Sequence, residues 1–179
     1  HDPANGTLIT LPGARFQLIA EADAAERLWH KLAAVLTPVG APCWEWLEIR
    51  NGLPLITPAT QDQFVPQMAN MELIGAVNFQ KGCYPGQEIV ARTQYLGQLK
   101  RRMVLAHVAG QCLPQPGDAL FGAARETQAV GMVVNAQAAP EGGYDLLAVL
   151  QTASIGEGAV HYKSVAGPAL DIQLLPYAV

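Results

Sequence analysis

The run Lys81-Gly82-Cys83-Tyr84-Pro85-Gly86-Gln87-Glu88, with Arg92 four positions beyond it, is the densest set of chemically capable residues in the chain. Cys83 stands in a glycine-bounded loop, where backbone can approach a ligand closely. Residues 87–96 have helical character and stop at Gly97. A helix start there would present free amides and the positive end of the dipole, which favour a thiolate or a bound anion. Lys81 adds a positive charge two residues away, so Cys83 is a candidate reactive thiol. Glu88 falls in the first turn, where a carboxylate can cap backbone amides. Its spacing from Arg92 suits an ion pair on one helix face. The same residues also read as a tight turn feeding a capped helix, with Cys83 merely packed. The residues alone leave both readings open. No histidine lies near Cys83 in the chain, so a Cys–His nucleophile pair has no support.

A second candidate is the basic run Lys100-Arg101-Arg102. With Arg92 it could meet a phosphate or a carboxylate tail, or it could guard a solvated strand edge. Trp44 and Trp46 could flank a flat ligand, although paired tryptophans are more often core. Cys43 and Cys112 read as small buried residues, and His30 as a surface histidine. There is no dinucleotide-binding glycine motif, no Walker lysine loop, no HExxH and no GxSxG. Four scattered histidines and three scattered cysteines make no metal centre.

Around these residues the chain divides near position 97. Residues 7–10 and 14–20 read as strands, and 21–36 as an amphipathic helix with Ala24, Leu28, Leu32 and Val35 or Leu36 on one face. Residues 43–51 suit a short helix capped by Gly52. Residues 61–75 are mixed and interrupted by Pro66. Beyond residue 97 the β-like runs are 100–108, 125–136, 144–152, 159–164 and 169–175. Short strands with regular turn signals predict a small antiparallel barrel or sandwich. The expected organisation is thus an α+β part over 1–97 and a β-barrel domain over 98–179.

Composition narrows the classes. Apolar residues make up 50% of the 179 and charged residues 15%, so the chain folds around a core. A net charge of −4 argues against a general nucleic-acid coat. No apolar run approaches a membrane span. Three cysteines without a CxxC point to a reducing compartment, expected to be the cytoplasm.

Residues 81–88, the following Arg92 and the KRR run resemble the signature of the YgfZ family, which runs Lys-Gly-Cys-aromatic-variable-Gly-Gln-Glu. These are folate-binding proteins of the aminomethyltransferase (glycine-cleavage T-protein) superfamily, linked to iron–sulfur cluster assembly or repair. Residues 64–70 (FVPQMAN) and 174–177 (LLPY) are similar to family regions on either side, so the likeness covers most of 43–179. It implies an α+β fold: the remainder of an aminomethyltransferase-like folate core with ferredoxin-like lobes, followed by a C-terminal antiparallel β-barrel. It also implies that this is the C-terminal part of a longer protein. Tetrahydrofolate would be the cofactor. Iron–sulfur proteins or their assembly machinery would be the partners, with no stable nucleic-acid binding and no membrane.

In that resemblance Cys83 is the chemical residue, with Lys81 and the helix amides supporting its thiolate. Gly82, Tyr84, Gly86, Gln87, Glu88 and Arg92 are expected among the folate-binding residues; Gln87 and Glu88 also order the loop, and Arg92 holds it by an ion pair. Lys100 and Arg101, with Arg102, meet folate's glutamate tail. Relatives commonly carry Glu two residues before the glycine matching Gly52, suited to the pterin's donor edge. This chain has Arg50 there, with Glu48 as the nearby acidic candidate for folate. Whether the protein is an enzyme stays open, and folate-dependent transfer is the reaction class implied. The alternatives are a true aminomethyltransferase of glycine cleavage and a non-catalytic folate-dependent regulator of tRNA modification.

Overall fold

A computed structural model describes residues 6–123 and 128–179. It falls into two compact units, His1–Cys43 and Trp44–Val179.

The first unit is a hairpin followed by a helix. Strands β1 (Thr7–Leu11) and β2 (Arg15–Ile19) pair antiparallel from Thr7↔Ile19 to Leu11↔Arg15. Helix α1 (Ala22–Ala33) opens with Asp23 in its first turn and closes with His30 and Lys31 in its last, the order its dipole favours. His30 lies at the surface, 3.8 Å from Glu26 one turn earlier. The apolar face read from the sequence is present but uncovered. Only Ala24 is buried, while Leu32 is 42% and Leu36 60% exposed.

The second unit is built on one sheet. Strands β3 (Arg101–Val108), β4 (Ala119–Gly122), β5 (Ala129–Ala138), β6 (Tyr144–Gln151), β7 (Val160–Tyr162) and β8 (Leu170–Gln173) lie in the order β7-β4-β5-β6-β3-β8, every neighbouring pair antiparallel. The sheet curls until its two edge strands touch at the bridge His161↔Ala169. The α+β class and the barrel-like sheet expected after residue 97 are therefore present. β4 was not anticipated, and residues 125–127 of the expected run 125–136 lie outside the described residues.

Both faces of the central strands are buried, which explains their nearly continuous apolar runs. Val104, Ala106 and Val108 alternate with Met103 and Leu105 along β3. On β6, Leu146, Ala148 and Leu150 alternate with Leu147 and Val149. The first set of each strand points into the curl with Leu120, Val130, Val133, Val160 and Tyr162. The second packs outward against Ile49 and Ala69. Ile49 comes from helix α2 (Ala41–Arg50), and Ala69 from a 3-10 turn (Pro66–Ala69).

Helix α2 ends as the sequence predicts. Gly52 adopts φ +66°, and the amides of Gly52 and Leu53 return to the carbonyls of Ile49 (2.9 Å) and Glu48 (3.0 Å), a Schellman closure. The Tyr177 hydroxyl then donates to the Gly52 carbonyl at 2.8 Å, which ties the end of the described chain to α2. A Cβ at Gly52 would lie 2.7 Å from the Tyr177 ring, so a larger residue would have to displace that side chain. Among the described residues no helix is long and apolar enough to cross a membrane.

On the rim of the sheet, Asp118 accepts from the Gln115 amide (2.9 Å) and the Tyr162 hydroxyl, with Lys163 at 3.5 Å. Burial pushes its pKa up. The hydrogen bonds and the lysine outweigh that, and the net shift is below the ordinary 3.8. A depressed carboxylate stabilises the fold above its unfolded value, and this contribution is lost as pH falls through the folded value. Asp118→Asn should therefore flatten the acid limb of a stability–pH curve below about pH 4, the unfolded aspartate range. Urea midpoints measured between neutral and acid pH check this. A variant as acid-sensitive as wild type would contradict it.

Candidate functional site

The loop that carries Cys83 leads into helix α3 (Gln87–Leu96), whose bounds match the sequence reading. Gly86, immediately before the helix, takes φ +82°, a conformation glycine adopts without strain. The Gln87 amide reaches the Tyr84 carbonyl at 3.2 Å and the Val90 amide reaches Gly86 at 3.4 Å. The amides of Glu88 and Ile89, between them, have no backbone acceptor among the described residues, as expected in the first turn of a helix. They are the free donors that can meet an anion.

Cys83 is exposed and in no disulfide. Lys81 places its ammonium 4.8 Å from the centre of the half-buried Tyr84 ring, a cation–π contact that stiffens the loop. Phe79 meets Tyr95 edge-on with centroids 6.2 Å apart, pinning the start of the loop to the last turn of α3. Gly82 has open space where a Cβ would stand, so its small size is not a steric need of this fold. Gln87 is half-buried.

Several expectations change here. Glu88 and Arg92 are both exposed and form no ion pair, and Glu88 caps no amide. The helix is secured instead from beneath. Gln67, fully buried on the 3-10 turn, donates from Nε2 to the Val90 carbonyl at 2.7 Å. Asn70 donates to the Met103 carbonyl at 3.0 Å, joining the same turn to β3. The basic run is split. Lys100 and Arg101 are exposed, whereas Arg102 donates to the Gln67 carbonyl (2.8 Å) and to Glu72. Arg102 is thus a structural cation. β8 pairs with β3 only over Leu105–Val108, so Arg101 and Arg102 lie on a stretch of β3 with β6 alone beside it, as a charge-guarded edge requires. Cys43 and Cys112 are exposed like Cys83, against the expectation that they pack. Glu48 is half-buried on α2.

Sequence reasoning missed one cluster altogether. Asp145, 4% exposed, accepts from Trp46 Nε1 and His107 Nδ1, each at 2.8 Å, with Arg50 Nη1 at 3.6 Å. The same Arg50 nitrogen donates to Gln173 Oε1. Trp46 is thus half-buried with a polar task rather than a core residue. Asp145 and His107 are direct cross-strand partners on β6 and β3. They share the face of Met103, Leu105, Leu147 and Val149, which α2 covers. The available signal was a lone aspartate heading an otherwise apolar strand.

The fold and loop together define an α+β protein with a curled antiparallel sheet and an exposed cysteine in the loop that leads into a helix. No protein-family model matches the chain. Curated proteins named tRNA-modifying protein YgfZ do. The one from Sodalis glossinidius is 32% identical over 180 residues, covering 100% of this chain and 55% of the relative. Those from Edwardsiella ictaluri and Yersinia pestis are each 33% identical, covering 93% and 98% of this chain and 51% and 54% of the relative. The chain belongs to the YgfZ family, and it spans about half the length of these relatives.

Proposed function

We propose that the chain is part of a cytoplasmic tetrahydrofolate-binding factor that supports assembly or repair of iron–sulfur proteins, with Cys83 as its reacting thiol. The observation that carries this reading is an exposed cysteine, in no disulfide, in the loop that leads into α3 within the Lys81–Glu88 run. A thiol that only packs gains nothing from exposure, whereas one that meets a substrate requires it. Lys81 and the free amides of Glu88 and Ile89 are the positive groups around it in the chain. Gly82, Tyr84, Gly86 and Gln87 shape the loop that presents it. On this reading residues 1–97 belong to the folate core and 98–179 form the barrel domain. Glu48 is the acidic contact to folate. The relatives' name, tRNA-modifying protein, favours tRNA modification as a process this factor serves.

Folate's glutamate tail is a string of carboxylates. Arg92, Lys100 and Arg101 are exposed and have no carboxylate partner among the described residues, so they suit that tail. The folate reading is tested by calorimetric titration. Lys100→Ala combined with Arg101→Ala should weaken a polyglutamylated tetrahydrofolate by about ten-fold, the worth of a charge-assisted contact or two. The monoglutamate should lose less. Equal losses for both would mean that the basic run does not read the tail.

A further inference from the structure

The second unit contains a cleft lined by Arg50, the residue this chain carries where relatives have the Glu suited to the pterin. It opens where α2 lies beside β3, β6 and β8, and it measures about 450 Å³. Small-molecule sites occupy roughly 300–1,000 Å³. Asp145 forms its base. The ionised carboxylate can only accept, so the hydrogen shared with His107 lies on Nδ1. Trp46 spends its single donor on the same carboxylate, leaving its ring as a wall of the cleft. The shallow turn opposite His107 is kept small by Gly143, where a Cβ would stand 2.7 Å from His107 Nε2.

Two charged side chains in this cleft have unused capacity. Arg50 contacts Asp145 and Gln173 through Nη1 alone. Its Nε and Nη2 hydrogens have no acceptor among the described residues. Those two nitrogens form one edge of the planar guanidinium, which matches the two oxygens of a carboxylate. Asp145 and Gln173 hold Arg50 in place, so binding costs little further ordering. Glu141, on the turn between β5 and β6, is exposed, and no cation among the described residues pairs with it. Arg50 and Glu141 line the same cleft without pairing with each other. A simple anion would be repelled by Glu141, and a simple cation by Arg50. A dipolar molecule satisfies both.

We propose that this cleft binds a free α-amino acid. Arg50 takes its carboxylate, Glu141 takes its ammonium, and the Trp46 ring covers its side chain. The inference does not rest on folate binding or on Cys83.

The test uses three probes with the same apolar body: L-phenylalanine, 3-phenylpropionate and phenethylammonium. The readout is the Trp46 indole N–H resonance in the intact protein. L-phenylalanine should shift it saturably, and each single-charge probe should bind about ten-fold more weakly, the loss of one charge-assisted contact. Glu141→Gln should reduce the affinity for L-phenylalanine to that for 3-phenylpropionate, and Arg50→Gln to that for phenethylammonium. Glu141 is exposed, so its variant tests the proposal even if Arg50→Gln folds poorly. No saturable shift with L-phenylalanine, equal binding of 3-phenylpropionate by the wild type, or an unchanged affinity in Glu141→Gln would each overturn the proposal.

Discussion

Asp145→Ala is expected to cost about 3 kcal/mol of stability, because breaking a buried charge cluster leaves its partners unpaired. Three groups lose their acceptor at once: the Trp46 indole N–H, the His107 Nδ1–H and part of the Arg50 guanidinium. The indole matters most, since Trp46 has no other donor and is half-buried beside the sheet. For a unit of this size the change corresponds to a melting point lower by about 6–12 °C. Asp145→Asn should cost less, because an amide oxygen still accepts one of the bonds. Thermal or urea unfolding of both variants measures the effect. If alanine lowers stability by less than about 1 kcal/mol, a typical single hydrogen bond, then the cluster does not clamp α2 to the strands.

Arg102→Met should cost about 3–5 kcal/mol by the same logic applied beneath α3. The side chain of Glu72 is 7% exposed, and its Oε2 already lacks a partner. Removing the guanidinium leaves that carboxylate buried without a countercharge and strips the Gln67 carbonyl of its donor. Gln67 is the residue that holds α3 through the Val90 carbonyl, so the damage spreads toward the loop of Cys83. The diagnostic is the double variant Arg102→Met with Glu72→Gln. Much of the lost stability should return, because the penalty lies in the orphaned charge rather than in the missing contact. A double variant as unstable as Arg102→Met would place the cost in packing instead.

The contrast between these clusters and the signature loop shows what a sequence displays. Helices α2 and α3 and the strands β3, β5, β6, β7 and β8 could be located because their signals are local: apolar alternation, a glycine after the last helical turn, a proline between runs. β4 escaped because it is four residues long and sits in a stretch rich in proline and glycine. The cysteines were misjudged because burial is a property of neighbours, and Cys43 and Cys112 have no core beside them. The loop of Cys83 was legible since its glycines, lysine and helix start are contiguous. The Asp145 cluster was not, because its members lie 38 and 99 positions apart and meet only through strand register and helix packing. The pairing of Glu88 with Arg92 failed for the opposite reason. Spacing permits a contact that two solvated side chains gain little by making.

The central claim is that Cys83 does chemistry. The most direct measurement is tRNA methylthiolation, a reaction of a radical iron–sulfur enzyme, in cells lacking the full-length protein and rescued with wild type or Cys83→Ala. Cys83 is exposed and in no disulfide, so its alanine variant should fold normally and be present at wild-type level. The account predicts restoration by wild type and none by Cys83→Ala at equal abundance. Full restoration by Cys83→Ala would contradict it, make the cysteine dispensable and move the search to the proposed folate contacts.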